Sequence, residues 1–280
     1  MYKILEKQAL SDIIKLLVIQ APHIAKKAKA GQFVILRITQ FGERIPLTIA
    51  DFDAEAGTIT VIFQEVGKST RQLWSLNPGD NLVTLVGPLG NPSEIEKYGT
   101  VVCVAGGVGV APIYSIAKAL KNEGNRVISI MGARNKGLLF WEEKMKSVSD
   151  DLIVCTDDGS YGRKAVVTTP LKEIISTNNV NRVWAIGPAI MMKFVSMVTM
   201  VFNIPTVVSL NTIMIDGTGM CGGCRVLHEE GAKFVCVDGP EFDGHKIAWD
   251  SLLLRQGIYR HEEANAIKQW EHTCHLEKTI

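Results

Sequence analysis

Val104-Ala-Gly-Gly-Val-Gly-Val-Ala-Pro112 is a glycine-rich turn that closes an apolar run and opens a helical pattern. Glycine lets the backbone come close to a pyrophosphate, and the unpaired amides of a helix N-terminus favour an anion. A tight strand-to-helix turn without a ligand would look the same, and the spacing departs from G-x-G-x-x-G. The residues that would bind a nucleotide here are Gly106, Gly107, Gly109, Ala111 and Pro112.

Apolar runs and helical stretches alternate around and after this turn. Strands are predicted at residues 101–105, 127–131, 152–155, 183–186 and 206–210. Parallel strands need crossover helices, so the alternation predicts a doubly wound parallel sheet. Polar turns leave three further strands at their carboxyl ends, where open α/β sheets bind ligands. These turns make a nucleotide crevice the better interpretation and add the candidate residues Arg134, Asp157, Asp158, Gly187 and Pro188.

The amino-terminal part consists of short β-branched and aromatic runs separated by turn residues. Strands are predicted at residues 13–20, 32–39, 58–63 and 81–85, a spacing that is typical of an antiparallel barrel. After residue 210, a Gly and Cys segment precedes a predicted hairpin and surface helices. We therefore expect a β-barrel domain at residues 1–97, an α/β domain at residues 98–210 and a small C-terminal module with a tail at residues 211–280.

The composition excludes several classes of function. The 280 residues are 46% hydrophobic and 21% charged, as in a globular protein of about two domains. The 30 Lys and Arg against 29 Asp and Glu leave a net charge of +1, so no basic excess is available for nucleic acid. Gly and Pro interrupt the longest uncharged stretch, so no membrane span is predicted. The N-terminus lacks the apolar core of a signal peptide, and a cytoplasmic location is expected.

Two short motifs in the barrel half place polar side chains at strand and helix ends. One is Arg44-Ile-Pro-Leu-Thr48, and the other, Val66-Gly-Lys-Ser-Thr70, precedes a short helical pattern. Hydroxyls, helix amides and a Lys charge suit a diphosphate. Taken alone, Arg44 is equally a strand-end charge and Ser69 equally a helix cap. The candidate binding residues are Arg44, Pro46, Leu47 and Thr48 in the first motif, and Gly67, Lys68, Ser69 and Thr70 in the second.

Three of the six cysteines crowd into residues 221–236. Cys221 and Cys224 have C-x-x-C spacing in a Gly-rich loop, and Cys236 ends the predicted hairpin. This grouping indicates a metal or redox site rather than a disulfide framework. Asp216 is a candidate fourth ligand, with His228 as its rival. Thiolates of this kind bind iron-sulfur clusters, and a closed tetrahedral zinc site is the competing interpretation.

The order of these motifs resembles the ferredoxin reductase superfamily, in which a flavin-binding barrel precedes a pyridine-nucleotide domain. The resemblance covers the first two predicted domains and implies FAD on the barrel and NAD(H) in the crevice. It implies that Thr48, at the Ser or Thr position of the family's flavin motif, lies at the isoalloxazine and acts in catalysis. Ile45 stands at the family's Arg position. Residues 67–70 resemble the pyrophosphate turn, and residues 106–112 resemble the nicotinamide-nucleotide turn.

The segment at residues 214–224 resembles the cluster loop of electron-transfer subunits of dihydroorotate dehydrogenase, in which M-x-C-G-x-G-x-C-x-x-C precedes a distant Cys. This resemblance places Asp216 at the first Cys and implies a [2Fe-2S] cluster bound by Asp216, Cys221, Cys224 and Cys236. With the substituted first ligand and the charged tail, the chain is similar to the small subunits of NADH-dependent ferredoxin:NADP+ oxidoreductases.

That resemblance implies an oxidoreductase subunit in which NADH reduces FAD and the [2Fe-2S] cluster takes electrons singly. A large flavin and iron-sulfur subunit, linked to NADPH and ferredoxin, would complete a heterodimer and bifurcate the electrons. Electron-transfer subunits of dihydroorotate dehydrogenase or sulfide dehydrogenase are the alternatives in this class. A zinc-stabilised nucleotide-binding or redox-sensing module is the alternative of another class. The residues leave NAD and NADP open, because Arg134 is equally a 2′-phosphate contact and a surface charge; the resemblance favours NAD(H).

Overall fold

Seven antiparallel strands form a near-closed barrel at the amino-terminal end of the chain. The computed structural model describes residues 2–277, and the side chains of residues 2–270. The strands are β1 (Tyr2–Ala9), β2 (Ile14–Gln20), β3 (Phe33–Arg37), β4 (Arg44–Asp53), β5 (Thr58–Gln64), β6 (Asn81–Leu82) and β7 (Thr84–Leu89). They pair in the order β6-β1-β2-β5-β4-β3-β7. Because Val83 alone separates β6 from β7, the two ends of the sheet meet.

The predicted barrel strands are confirmed, with the last one divided into β6 and β7, and β1 and β4 are additions. Only Ile49 and Ala50 of β4 are buried. Only Ile4 of β1 is buried, so this strand lacks the apolar run on which the sequence prediction depends. Helix α1 (Pro22–Ala25) precedes β3, and helix α2 (Lys68–Ser75) follows β5. The second motif of the barrel half therefore lies at the start of a helix, as predicted.

The α/β domain contains a parallel sheet whose crossover helices lie between the strands in sequence, which confirms the predicted fold class. Its strands are β8 (Thr100–Gly106), β9 (Arg126–Ala133), β10 (Asp151–Thr156), β11 (Arg163–Lys164), β12 (Arg182–Ile186) and β13 (Thr206–Ser209). Its helices are α3 (Val110–Asn122), α4 (Glu142–Ser147), α5 (Thr168–Thr177) and α6 (Ala189–Val201). The predicted strands are found within one or two residues of their expected ends.

The C-terminal module is built on the edge of this sheet. It comprises the hairpin β14 (Arg225–His228) and β15 (Gly231–Phe234), then α7 (Val235–Asp238), β16 (Glu241–Asp243), α8 (Trp249–Gln256) and α9 (Arg260–Glu277). Strand β16 pairs antiparallel with β13, which gives the order β11-β10-β9-β8-β12-β13-β16. The module therefore adds an antiparallel edge strand to an otherwise parallel sheet. The sequence predicts a solvated tail at His272, Cys274 and His275, and these lie outside the described side chains.

The barrel and the α/β domain share an apolar interface. Ala50 on β4 packs in one buried cluster with Val110, Ala111 and Tyr114 of α3. Lys118 of α3 also forms an ion pair of 3.3 Å with Asp51. This interface fixes the outer face of β4 against the helix that follows the glycine-rich turn. Among the described residues, no helix is both long and apolar enough to cross a membrane.

Candidate functional site

Thr48 lies on the outer face of the barrel, towards the α/β domain. Side chains alternate along a strand, and Leu47 and Ile49 pack with the barrel core whereas Ala50 packs with α3. Thr48 therefore shares the face of Ala50. It is half-buried and lies directly opposite Phe33 of β3. The predicted flavin position is thus a polar side chain at the boundary between the two domains.

Two arginines face each other at the start of β4, roughly 13 Å along the strand from Thr48. Arg44 begins β4 at an exposed site and lies directly opposite Arg37 of β3, while Pro46 is on the face of Thr48. Arg37 Nη2 donates to Thr84 Oγ1 at 3.3 Å, but its buried Nε has no hydrogen-bond partner in the described part of the chain. Like charges directly opposite one another destabilise a sheet. The pair is therefore suited to an anion, and Arg37 is a residue that the sequence reasoning missed.

The start of α2 offers backbone amides rather than free hydroxyls. Thr70 Oγ1 accepts hydrogen bonds from the amides of Val66 at 3.1 Å and Gly67 at 3.0 Å, so this hydroxyl caps the helix. The Ser69 hydroxyl donates to the carboxylate of Glu43. The first intrahelical bond runs from the Arg71 amide, so the amides of Lys68, Ser69 and Thr70 make no intrahelical bond and can meet an anion. A diphosphate at residues 67–70 would therefore be held mainly by the backbone.

The turns after β8 and β12 pack directly against each other. A Cβ on Gly109 would lie 2.0 Å from the Ile186 carbonyl oxygen, and one on Gly106 would lie 2.3 Å from Met191 Sδ. A Cβ on Gly187 would lie 2.9 Å from the Gly106 carbonyl oxygen. Contact between the two turns therefore requires glycine at these positions whether or not a ligand is bound.

Among the glycines of these two turns, Gly107 faces open space. Its φ is +54°, and a Cβ there would meet nothing within 4 Å. Ala111 and Pro112 are buried in the first turn of α3, where they fix the start of the helix, and exposed Pro188 precedes α6. The strand order reverses direction beside β8 and β12, which is where open α/β sheets bind ligands. Gly107 is thus the position at which a nucleotide could approach the backbone.

The next two strand ends are tied together at the same edge of the sheet. The amides of Asp157 and Asp158 donate to the carbonyls of Ala133 and Arg134 at 3.0 and 3.1 Å. The Asp158 carboxylate accepts bonds from the Ser160 hydroxyl and amide, which hold the pKa of Asp158 below its usual range. Arg134, Asp157 and Asp158 are exposed. They form a polar rim whose binding roles remain predictions.

The four predicted cluster ligands come together as two pairs. Cys221 Sγ lies 3.3 Å from Asp216 Oδ1, and Cys224 Sγ lies 3.3 Å from Cys236 Sγ. The first pair reaches solvent through exposed Cys221, whereas both thiols of the second pair are buried. Within the described residues, no three His, Cys, Asp or Glu side chains converge as ligands of one metal ion.

Local hydrogen bonds and burial set opposite electrostatic environments for the two pairs. The Thr218 hydroxyl, at 2.9 Å, and the Cys221 thiol hold the pKa of Asp216 down at about 2. Burial, reinforced by the neighbouring Cys224, raises the pKa of Cys236 to about 12. Asp216 is therefore an anionic oxygen donor at neutral pH, while the Cys236 thiol becomes a good ligand only when a cation compensates its charge.

This donor set fits a binuclear iron-sulfur cluster. Plant-type [2Fe-2S] proteins use the spacing C-x4-C-x2-C followed by a distant Cys. Asp216, Cys221, Cys224 and Cys236 follow that spacing with Asp at the first position. Two pairs of ligands suit two iron atoms, whereas structural zinc needs four ligands around one ion. The rival ligand His228 lies at the turn end of the β14–β15 hairpin, roughly 13 Å along the strand from Cys224, so the structure separates it from the thiols.

The cluster loop rests on the barrel beside the strand that carries Thr48. A Cβ on Gly217 would lie 2.5 Å from Ile35 Cδ1 and 2.9 Å from Leu89 Cδ1. Phe33 of β3 pairs with Leu89 on one side and with Thr48 on the other. Three neighbouring strands at ordinary spacing place Leu89 about 10 Å from Thr48. The predicted flavin position and the cluster loop therefore share one face of the barrel.

Family models match the two domains beyond the barrel. The oxidoreductase NAD-binding domain matches residues 103–197, which include the glycine-rich turn and most of the sheet. The iron-sulfur cluster binding domain of dihydroorotate dehydrogenase B matches residues 211–248, which include all four predicted ligands.

Similar proteins cover nearly the full chain. A dihydroorotate dehydrogenase B (NAD(+)) electron transfer subunit homolog of Thermotoga maritima is 49% identical over 88% of this chain and 86% of its own. The electron transfer subunit of Desulforamulus reducens is 32% identical over 82% of this chain and 90% of its own. A solved structure of an NADH-dependent reduced ferredoxin-NADP oxidoreductase is 45% identical, with a TM-score of 0.92 over 96% of this chain and 98% of that chain. Phthalate dioxygenase reductase, at 16% identity and a TM-score of 0.58, shares the fold. The chain therefore belongs to the family of dihydroorotate dehydrogenase B electron-transfer subunits and their homologues.

Proposed function

We propose that this protein is the small subunit of an NADH-dependent ferredoxin:NADP+ oxidoreductase, which carries FAD and a [2Fe-2S] cluster and oxidises NADH reversibly. The observation that carries the proposal is the meeting of three sites on adjoining elements. Thr48, the β8–β12 switch point and the cluster loop all border the outer face of the barrel. The solved relative with a TM-score of 0.92 supports the same arrangement.

Each part of the chain has a separate binding task. Arg44, Pro46 and the Thr48 hydroxyl would orient the flavin ring, and the first amides of α2 would hold its pyrophosphate. Gly107 and the polar rim after β9 and β10 would bind NADH. When bound, FAD accepts a hydride from NADH, and the [2Fe-2S] cluster accepts electrons one at a time. The shared apolar interface between the barrel and α3 excludes water and keeps the two binding regions in a fixed relation.

A large flavin and iron-sulfur subunit, linked to NADPH and ferredoxin, completes the heterodimer in this proposal. The loop from which electrons would leave carries exposed apolar side chains: Met220 is 88% exposed and Ile215 is 55% exposed. Exposed apolar surface of this kind marks protein interaction sites. The five cysteines with described side chains are free thiols, as expected in a reducing compartment. This supports the proposed cytoplasmic location.

The same cofactors would serve an electron-transfer subunit of dihydroorotate dehydrogenase, which the names of the relatives at 49% and 32% identity favour. A sulfide dehydrogenase subunit is the third alternative in this class. The partner chain distinguishes them, because each enzyme's partner oxidises a different substrate. A zinc-stabilised nucleotide-binding module remains the alternative of another class, and metal analysis distinguishes it.

The proposal is tested by anaerobic purification of the full chain from its natural source. We expect FAD, iron, acid-labile sulfide and a co-eluting large flavin and iron-sulfur subunit that reacts with NADPH and ferredoxin. A co-eluting chain that oxidises dihydroorotate would select the first alternative. Zinc without iron or sulfide would select the redox-sensing module.

A further inference from the structure

Glu241 lies where the barrel, the parallel sheet and the cluster module meet. Its Oε1 accepts a hydrogen bond from the buried Ser93 hydroxyl at 2.5 Å. A Cβ on Gly31 of the barrel would lie 3.0 Å from the same oxygen. In the sheet, Glu241 of β16 pairs with Ser209 of β13. A single carboxyl group therefore contacts the segment between the domains and closely approaches the barrel.

The chain between Cys236 and Glu241 is held on that same segment. The Asn91 amide donates to the Gly239 carbonyl at 2.7 Å. The Asn91 side-chain nitrogen donates to the carbonyls of Val237 at 3.2 Å and Asp238 at 3.1 Å. Residues 236–241, which carry the buried candidate ligand Cys236, are therefore anchored to residues 91–93, which join the barrel to the α/β domain. The hydrogen bond from Ser93 to Glu241 is the last of these anchors.

Among the residues whose side chains the structure describes, Glu241 forms no ion pair. Arg182 is the neighbouring cation, and it already forms an ion pair of 2.8 Å with Glu94 and donates to the Tyr98 hydroxyl at 2.9 Å. Burial raises the pKa of Tyr98 and raises that of Cys103 to about 12, so both neighbours are neutral. Desolvation of Glu241 is therefore opposed mainly by neutral hydrogen-bond donors.

Burial accordingly raises the pKa of Glu241 to about 7, against the opposing effects of Ser93, Trp184 and Arg182. The buried Trp184 indole is close enough to lower this pKa, although its Nε1 makes no hydrogen bond of good geometry within the described part of the chain. Glu94 adds a like charge that raises it further. Near neutral pH, Glu241 thus changes between a neutral and a charged state at the junction of the three units.

We propose that Glu241 is a positioning residue that, together with Ser93, holds the stretch carrying Cys236 against the barrel and so sets the separation of the cluster from the flavin-contacting strand. The positioning of a cluster rests on the proposed function, whereas the anchoring of the three units does not. The neutral carboxyl accepts the Ser93 hydrogen bond without placing a charge at this junction. Its ionisation places a negative charge there that Arg182, already paired with Glu94, offsets only in part.

The sign of the pH effect follows from the direction of the shift. The carboxyl is protonated in the folded state up to about pH 7 but ionises near pH 4.5 in the unfolded chain. The carboxyl contributes its full stabilisation below about pH 4.5, and this stabilisation is lost as the pH rises to about 7. The unfolding equilibrium constant should therefore rise by up to about tenfold per pH unit between pH 5 and 7.

The test compares wild type with Glu241→Gln, which keeps a polar group beside Ser93 but cannot ionise, and with Ser93→Ala, which removes the donor. Glu123→Gln, at an exposed position after α3, is the matched control. Urea unfolding of each full-length protein is measured from pH 5 to 8. In the holoprotein, the rate of cluster reduction after mixing with NADH is followed over the same range by stopped-flow absorbance.

We expect stability to fall with pH in wild type and in the Glu123 variant, and the slope to be lost in Glu241→Gln. Cluster reduction should slow above pH 7 in wild type, become independent of pH in Glu241→Gln and be slow at every pH in Ser93→Ala.

Parallel unfolding slopes in wild type and Glu241→Gln would overturn the proposal. If Glu241→Gln does not fold, carboxyl infrared difference spectra of wild type decide: an ionised Glu241 at pH 6 overturns it. A preparation without flavin or iron would overturn the proposed function instead, because the unfolding slopes need neither cofactor.

Discussion

The glycine turns of the α/β domain and the cluster loop are both predicted cofactor sites, but they are stabilised differently. At the turns after β8 and β12, backbone packs on backbone so closely that a methyl group on Gly109 would lie 2.0 Å from a carbonyl oxygen. In the cluster loop, Met220 is 88% exposed and the ligands are joined by two contacts of 3.3 Å. The turns are therefore shaped by the protein core, whereas the loop requires its metal centre to become rigid.

The largest effect is expected where backbone packs on backbone. Gly109→Ala should destabilise the protein by about 3 kcal/mol because the new methyl overlaps the Ile186 carbonyl. Gly107→Ala, which faces open space at φ +54°, should cost about 1 kcal/mol. Urea unfolding measures both variants. Equal losses would contradict the assignment of Gly109 to packing and Gly107 to the ligand side.

The second-largest effect is expected at a buried cysteine of the cluster loop and not at a buried cysteine of the parallel sheet. Cys224→Ala removes half of the buried ligand pair, so iron and acid-labile sulfide should fall to background while FAD remains bound. The matched control is Cys103→Ala, which removes an equally buried thiol from β8. Its iron content per folded chain should equal that of wild type. Iron retention in the Cys224 variant would show that the buried pair is not a ligand pair.

A smaller effect is expected at the oxygen ligand. Asp216→Ala should lower the iron content, and Asp216→Cys should retain a cluster with a changed electron paramagnetic resonance spectrum, because a thiolate replaces a carboxylate. Asp158→Ala is the control, since Asp158 also accepts hydrogen bonds in a turn but lies on the polar rim. An unchanged spectrum and iron content in both Asp216 variants would refute the ligand assignment.

The smallest effect is expected at the exposed rim of the nucleotide site. Arg134→Ala should weaken nucleotide binding by about 1 kcal/mol or less, because an exposed charge is well screened by solvent. Isothermal titration with NADH and NADPH measures it, with exposed Lys146→Ala as the control. A much larger loss for NADPH than for NADH would assign Arg134 to the 2′-phosphate.

Apolar periodicity was sufficient to predict the parallel sheet, its crossover helices and most of the barrel, because those elements are buried. It could not predict β1, in which Ile4 alone is buried, β4, in which only Ile49 and Ala50 are buried, or the short β16. Ligand spacing was sufficient to select the four candidate cluster ligands, because their chemistry is local and the structure brings them together in pairs; their binding to iron stays a prediction. The anchor between Ser93 and Glu241 joins distant parts of the chain, and only the fold brings them together. Likewise, only the packing of the two turns in the fold distinguishes Gly109, which contacts the opposite turn, from Gly107, which faces open space.

In the proposed function, electrons pass from NADH through a flavin to an iron-sulfur cluster on this one chain. This electron transfer is tested most directly by adding NADH anaerobically to the purified full-length protein while recording flavin absorbance and low-temperature electron paramagnetic resonance. We expect bleaching of the flavin band and a reduced [2Fe-2S] signal that is missing in Cys224→Ala. The opposite result is a preparation that contains an intact cluster and in which NADH reduces the flavin but no reduced-cluster signal develops. That result would refute electron transfer from the flavin to the cluster.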